Sequence, residues 1–212
     1  MNDVLTEITK AVIEGNCDAT VVLTERALNE GLSAKQILHN GLVPGMEHVG
    51  DEMARGDMFI PEVLLSARAM KASLGVIKPM LDEAGAKMIG RVVIGTVQGD
   101  LHDIGKSLVG MMLEGAGFEV VDLGKDVAPE AFVEAVKKEK PDIVGMSALL
   151  TTTMRNMGVT IEALKEAGLR DQVKIMVGGA PLTRDFAEKI GADGYASDAP
   201  AGIAMAREFA SA

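Results

Sequence analysis

An aspartate, a histidine and a glycine stand at fixed spacing in the segment GDLHDIGKSLVG, residues 99–110. The pattern Asp100-x-His102-x-x-Gly105 lies where an apolar run ends and a helical pattern begins. A carboxylate that holds one nitrogen of a histidine fixes the tautomer of a metal-ligating imidazole, and a glycine lets a large flat ligand approach the backbone. These residue types at this spacing predict a metal site with His102 as the ligand.

Two further signals follow at the ends of later apolar runs. The first pattern alone is weak, because a histidine at a strand end is more often structural than a ligand. Ser147-Ala148-Leu149 closes the run over residues 142–146, and Gly178-Gly179 closes the run over residues 173–177. The three signals together favour a binding site over three unrelated turns.

The C-terminal part of the chain alternates strand and helix patterns. The runs rich in β-branched residues are 91–97, 118–123, 142–146, 173–177 and 194–197, and the helical patterns begin near Ile104, Pro129, Met154, Leu182 and Ala199. This alternation predicts an α/β fold with a parallel sheet covered on both faces. Five such units fit the flavodoxin-like strand order 2-1-3-4-5, whose ligands bind beyond the carboxyl ends of strands one and three.

The N-terminal part has a different character, since residues 2–88 show only helical spacing of apolar residues. Four or five helices packed as a bundle are expected. Pro44 and Pro61 fit first-turn positions, whereas Pro79 should kink or end a helix. The best boundary is residues 85–90, so the predicted domains are 1–88 and 90–212.

Composition narrows the class of protein. The chain has 212 residues, a net charge of −10 and one cysteine, Cys17, so an intrachain disulfide is impossible. The acidic balance argues against nucleic acid as a partner, because neutralising phosphates requires clustered lysine and arginine. No signal peptide or membrane-spanning run is recognisable, and a cytoplasmic location is expected.

The three motifs resemble the cobalamin-binding domain of methionine synthase and of the corrinoid proteins of methyl-transfer systems. That family is marked by Asp-x-His-x-x-Gly, Ser-x-Leu and Gly-Gly, and TVQGDLHDIGKSLVG matches the first motif closely. The resemblance implies cobalamin or a related corrinoid as cofactor, as methylcob(III)alamin or cob(I)alamin. It also implies that His102 replaces the cofactor's own base as the lower axial cobalt ligand.

The resemblance assigns roles to further residues. Asp100 would hydrogen-bond the second ring nitrogen, and Thr153 matches a serine that extends this relay, so the hydroxyl is kept although the residue differs. Ser147 and Thr151 match contacts to the buried nucleotide tail, and the glycine pair would leave a channel for it, unless it only makes a tight turn. The residues implied to bind the cofactor in this domain are Gly99, Asp100, Leu101, His102, Asp103, Ile104, Gly105, Ser147, Leu149, Thr151, Gly178, Gly179 and Ala199.

The segment VGDEMARGDMFIPEVLLSARAMK, residues 49–71, resembles the helical cap that precedes this domain in the family. Met53, Ile60 and Val63 match cap residues that approach the upper corrin face, with Phe59 adjacent. The alternative is that all four belong to the core of the bundle.

Two other histidines are weaker candidates for a place in a binding site. His39 falls at a cap position near the corrinoid. His48 and Glu52 have a metal-binding spacing but no evident third ligand, so a solvated helix face is favoured over a metal site.

The resemblance implies a methyl carrier of a methylotrophic or acetogenic system. One partner would be a substrate-specific methyltransferase that uses a methylamine, methanol, a methoxylated aromatic, a methyl thiol or a betaine. A second methyltransferase would pass the methyl group to a thiol or to tetrahydrofolate, and a reductive activator would restore cobalt(I). The chain lacks room for the two catalytic barrels that such reactions use.

Two other classes share the motifs. One is the small subunit of an adenosylcobalamin-dependent mutase, which generally lacks the helical cap. The other is a cobalamin-sensing regulator, which normally carries a DNA-binding or signalling domain. A response-regulator-like domain without cobalamin would need an acidic phosphoacceptor pocket, which Asp100 and Asp103 alone do not make convincingly.

Overall fold

The computed structural model describes residues 3–83 and 88–211, and backbone contacts divide the chain into two compact units. The helical unit contains residues 1–88 and 111–117, and the sheet unit contains residues 89–110 and 118–212. The predicted division into domains at 1–88 and 90–212 stays a prediction. The predicted boundary at residues 85–90 lies partly outside the described residues.

The helical unit shows helices and no strand over residues 3–83. Its α-helices are α1 (Asp3–Ile13), α2 (Cys17–Asn29), α3 (Ala34–Ile37), α4 (Val43–Arg55) and α5 (Ile60–Glu83), with a π-helix over Leu38–Leu42. Ser33 begins α3 with a capping box that includes Gln36, and Gly56 ends α4 in the left-handed conformation.

The three prolines of the bundle occupy different positions. Pro44 and Pro61 are the second residues of α4 and α5, as predicted. Pro79 does not end α5, which continues to Glu83. The buried side chains of Ile77 and Leu81 flank the proline, and their burial favours the last turn despite the lost hydrogen bond.

The sheet unit contains five parallel strands in the order β2-β1-β3-β4-β5, which confirms the predicted topology. The strands are β1 (Arg91–Thr96), β2 (Glu119–Asp122), β3 (Ile143–Ser147), β4 (Lys174–Gly178) and β5 (Gly194–Ala196). The helices that follow the strands are α6 (Ile104–Gly115), α7 (Pro129–Glu139), α8 (Arg155–Glu166), α9 (Arg184–Ile190) and α10 (Ala199–Ser211), with a 3₁₀ turn over Arg170–Gln172. Residues 111–115 of α6 are grouped with the helical unit. β1 and β3 read as continuous apolar runs because both of their faces are buried.

Helices cover both faces of this sheet. On one face, Phe132 of α7 and Met157 of α8 belong to one buried cluster with Val93 and Val144 of the sheet. On the other face, Gly202 of α10 lies close to side chains of α6 and β4. The strands are thereby held in register, and their carboxyl ends form one edge.

Replacing Phe132 by alanine tests this core. The ring is fully buried, so its removal should lower the free energy of unfolding by about 3–5 kcal/mol. Tyr195 is the only tyrosine of a chain without tryptophan and packs against the same cluster, so its fluorescence reports urea unfolding of the sheet unit. Ala131→Gln on the exposed side of α7 is the control and should change stability by less than about 0.5 kcal/mol. Equal effects of the two substitutions would contradict the assigned core.

Candidate functional site

The loops that follow β1, β3 and β4 start from aligned positions of the sheet. Thr96 pairs with Ser147, and Ser147 pairs with Gly178. Because the strands are parallel, the three predicted motifs leave the sheet at the same edge. The site is therefore assembled by topology from segments far apart in sequence.

Asp100 is fully buried and holds His102 at two points. Its Oδ1 accepts a hydrogen bond from the backbone N–H of His102 at 3.0 Å and contacts the ring Nδ1 at 2.7 Å. A carboxylate acceptor at Nδ1 places the imidazole proton there, which leaves the lone pair of a neutral ring on Nε2. The pair therefore presents Nε2 as a potential metal ligand.

The other oxygen of Asp100 binds the loop after β3. Oδ2 accepts hydrogen bonds from the backbone N–H groups of Leu149 at 2.8 Å and Leu150 at 3.2 Å, and from Thr153 Oγ1 at 2.6 Å. The Thr153 hydroxyl also lies 3.0 Å from the carbonyl of Leu150. Since the hydroxyl has one proton, the shorter and charge-assisted contact to Asp100 is favoured.

These contacts keep Asp100 ionised. Burial alone would raise the pKa of this carboxyl, but the hydrogen bonds from Thr153, His102 and Leu149 outweigh burial and hold the pKa well below its ordinary range. A permanent negative charge at this position makes Asp100 a constant acceptor for the Nδ1 proton of His102.

The surroundings of His102 are exposed and apolar. Half of its side chain is accessible, whereas Asp100 is not. Four large apolar side chains in these two loops and at the start of α6 are also exposed: Leu101, Ile104, Leu149 and Leu150. An exposed apolar surface around one polar ligand atom is typical of a binding site for a large flat ligand.

Two glycines of the motifs have different roles. A Cβ built on Gly105 would meet no heavy atom within 4 Å, so open space lies beside the backbone next to Ile104. Gly179 has φ of +136°, and a Cβ there would lie 1.9 Å from the carbonyl oxygen of Ala148. The close approach of the loops after β3 and β4 therefore requires glycine at 179, and this requirement holds without any ligand.

Comparison with known proteins identifies the family. A family model described as a B12 binding domain matches residues 90–204, and a second model with the same description matches residues 4–78. The chain is a corrinoid protein of the B12-binding family. It is 45% identical over 207 residues to "Trimethylamine corrinoid protein 2" of Methanosarcina mazei, which covers 97% of this chain and 95% of the relative.

A second relative and one solved structure cover nearly the whole corrinoid protein. "Dimethylamine corrinoid protein" of Methanosarcina barkeri is 45% identical over 208 residues, 98% of this chain and 97% of the relative. The methanol:cobalamin methyltransferase complex MtaBC of Methanosarcina barkeri contains a chain with TM-score 0.88 and 32% identity. The match covers 99% of this chain and 80% of that one. The predicted resemblance, fold and corrinoid cofactor are confirmed.

The remaining residues that the sequence assigned to this corrinoid protein's cofactor lie at the same sheet edge or close to it. Gly99 has a left-handed φ of +83°, and Asp103 precedes α6. Thr151 lies exposed in the turn after β3, and Ala199 is the buried first residue of α10. Their contacts with a corrinoid stay predictions.

The predicted cap residues of the corrinoid protein differ in exposure. Phe59 and Ile60, at the start of α5, are exposed. Met53 is half-buried, and Val63 is fully buried. The exposed pair has apolar surface available for a ligand, while Val63 also fits the alternative of a core position. Their approach to a corrin stays a prediction.

The two other histidines are both exposed in the helical unit. His39 lies in the π-helix, and its approach to the corrinoid stays a prediction. His48 Nε2 lies 3.3 Å from Glu52. No cluster of three metal-ligating side chains occurs among the residues the structure describes. None of the helices in residues 3–83 and 88–211 is long and apolar enough to cross a membrane.

Three contributions to the site were missed by the sequence analysis. The Thr96 hydroxyl donates to the carbonyl of His102 at 3.0 Å, and its signal was a polar residue inside a buried apolar strand. The Leu150 amide acts through its backbone and leaves no sequence signal. Asp126 accepts from the Gly99 N–H at 2.7 Å, from a loop that carries no motif.

Asp100→Asn tests the buried charge. At pH 7 the NH₂ group of the asparagine would face one of the groups that now donate to Asp100, and two donors cannot bond to each other. We therefore expect the free energy of unfolding of the apoprotein to fall by about 2–3 kcal/mol. A carboxyl whose folded pKa is lowered stabilises the fold fully above its unfolded pKa of about 4, and this stabilisation is lost as pH falls through the folded pKa. The difference between wild type and variant should be full at pH 5 and shrink below about pH 4.

Urea unfolding followed by Tyr195 fluorescence measures the difference at each pH. Thr153→Val removes one donor and keeps the side-chain volume, so it should show the same trend at smaller amplitude. If the difference in the free energy of unfolding between wild type and Asp100→Asn stayed constant down to pH 3, the assigned charge would be contradicted.

Gly179→Ala tests the close approach of the two loops. Gly191→Ala is the matched control, because Gly191 also has a positive φ, +79°, but a Cβ there meets nothing within 4 Å. The control should cost about 1 kcal/mol, the ordinary penalty of a left-handed alanine. Gly179→Ala should cost at least about 2 kcal/mol more because the Ala148 backbone must move. Similar costs in urea unfolding would show that the loops separate easily.

Proposed function

We propose that this corrinoid protein carries a methyl group on cobalt between two methyltransferases, with His102 as the lower cobalt ligand. The observation that carries the proposal is the Asp100–His102 pair, which fixes Nδ1 and presents Nε2 among exposed apolar side chains. The residues present fit a corrinoid. One nitrogen donor serves the metal, apolar surface suits the macrocycle, and Gly105 leaves open space beside the backbone.

The corrinoid, when bound, supplies a cobalt atom that accepts and gives up a methyl group. His102 would hold the cobalt through the lone pair of Nε2. Asp100 keeps the ring proton at Nδ1, and Thr153 and the Leu149 amide keep Asp100 ionised and in place. The exposed apolar side chains of Leu101 and Ile104 would exclude water from the bound corrinoid.

The motif residues of the other two loops are proposed to hold the nucleotide tail. Ser147 at the end of β3 and Thr151 in the following turn offer hydroxyls. Gly178 and Ala199 keep side-chain volume small near β5. In the helical unit, Met53, Phe59, Ile60 and Val63 are proposed to contact the corrin. The exposed apolar area of Phe59 and Ile60 supports this role.

A methylamine is proposed as the source of the methyl group. The support is identity of 45% over nearly the whole chain to relatives named as trimethylamine and dimethylamine corrinoid proteins. The proposed partners are a methylamine-specific methyltransferase, a second methyltransferase that uses a thiol or tetrahydrofolate, and a reductive activator. The cytoplasmic location stays a prediction.

His102→Ala tests the ligand. Wild-type protein reconstituted with cobalamin should give the ultraviolet-visible spectrum of a corrinoid whose own base is displaced by histidine. The variant should lose this spectrum, because no side chain replaces Nε2. His48→Ala, which removes an exposed histidine of the helical unit, is the control and should retain it. An unchanged spectrum in His102→Ala would refute the assignment.

The methyl donor is tested separately on the reduced holoprotein. The cobalt(I) absorbance should disappear when a methylamine and its methyltransferase are added, and it should persist with methanol and a methanol-specific enzyme. Support of isomerase turnover with adenosylcobalamin would instead indicate a mutase subunit.

A further inference from the structure

One peptide group next to the Asp100–His102 pair is held at both of its ends. The carbonyl of Gln98 accepts a hydrogen bond from Asn156 Nδ2 at 2.7 Å. The N–H of the same peptide, on Gly99, donates to Asp126 Oδ1 at 2.7 Å. In a trans peptide these two groups point in opposite directions, so the contacts grip the plane from opposite sides.

Asp126 has a strained backbone. Its φ of +54° makes it one of two residues other than glycine with positive φ among those described, and the second is Lys140. In this conformation the Asp126 N–H donates to the carbonyl of Asp100 at 3.0 Å, while its side chain reaches Gly99. One residue therefore binds the backbone on both sides of the Gly99–Asp100 bond. Strain that persists in a loop indicates a position fixed by its surroundings.

The loop that carries Asp126 is itself anchored. The Val127 N–H donates to the carbonyl of Thr96 at 2.9 Å. At the other end of the loop, the buried ammonium of Lys106 contacts both carboxylate oxygens of Asp122. Gly99 and Lys106 thus tie the segment that contains His102 to the same neighbouring loop, one tie before the histidine and one after it.

We propose that Asp126 and Asn156 form a clamp on the Gln98–Gly99 peptide that positions the Asp100–His102 pair before a corrinoid binds. The inference rests on the proposed function, since it treats His102 as the cobalt ligand. Asp126 and Asn156 are positioning residues, because they act through the backbone of the loop and touch neither the imidazole nor the Asp100 carboxylate.

The clamp acts on a part of the loop that the Asp100 carboxylate does not hold. The carboxylate joins His102 to the loop after β3. The exposed residues Gln98 and Gly99, which lead into this segment, are held by the clamp. Gly99 permits many backbone conformations, and each one would direct Nε2 differently. Holding the peptide before Asp100 removes those alternatives, so a ligand need not supply the ordering free energy when it binds.

Four variants isolate the clamp. Asp126→Gly removes the acceptor and tolerates positive φ, whereas Asp126→Asn keeps an acceptor oxygen and also tolerates that conformation. Lys140→Gly relaxes the second positive φ far from the clamp in sequence, at the end of α7, and controls for relief of strain. Asn156→Ala removes the donor, and Val159→Ala at an exposed position of the same helix is its control.

The first measurement is amide hydrogen exchange of Gly99 by NMR in the apoprotein, which needs no cofactor. Asp126→Gly should speed this exchange by about fivefold or more, the factor that corresponds to one hydrogen bond. Asp126→Asn and Lys140→Gly should remain near the wild-type rate. An unchanged rate in Asp126→Gly would overturn the clamp.

The second measurement uses aquocobinamide, a corrinoid without the nucleotide base, and records the fraction with a histidine-ligated spectrum. Asp126→Gly and Asn156→Ala should each weaken histidine ligation by about fivefold. Asp126→Asn, Lys140→Gly and Val159→Ala should match wild type. Faster Gly99 exchange with unchanged ligation would overturn the positioning role alone. Absence of histidine ligation in wild type would overturn the proposed function and this inference together.

Discussion

The buried carboxylate of Asp100 is the interaction on which the site depends. A charge with no exposure to solvent is stable only if it is compensated, and here five donor groups converge on two oxygens. Two donors belong to His102, and three belong to the loop after β3. The same contacts that make the charge tolerable therefore join two loops that are about fifty residues apart in sequence. Separating the two loops would leave a buried charge without its donors. The free-energy cost of that charge therefore opposes separation of the loops.

The order of the strands makes this convergence possible. With β1 next to β3 and β3 next to β4, the loops that carry the three motifs leave the sheet side by side. Gly179 then allows the third loop to approach Ala148 more closely than any side chain would permit. Helices on both faces bury the strands, so the sheet edge is fixed and the loops inherit that rigidity. The fold thus positions the site, while the loops provide its chemistry.

The sequence predicted the features that have a repeating or local signal. Continuous apolar runs located all five strands, and the motif spacing located Asp100 and His102. The family resemblance implied Thr153, which the structure brings to the same carboxylate. The sequence could not predict contributions from backbone groups, such as the Leu150 amide, because any residue supplies one. The contact of Asp126 with Gly99 could not be predicted either, since it depends on a positive φ and on the position of a neighbouring loop. Pro79 was expected to kink or end a helix, and it does not end α5, because the burial of Ile77 and Leu81 favours the last turn.

The asymmetry between the two members of the pair has a chemical consequence. Only one of the five contacts to Asp100 involves the imidazole ring, and the other four come from the backbone and from Thr153. The carboxylate therefore stays in place when the ring moves, and His102, which is half exposed, has room to move. In the proposed role of His102 as a cobalt ligand, the ring would be able to leave and return without disturbing its support. Such a movement would break only one hydrogen bond to Asp100, because the buried carboxylate is held by its other contacts.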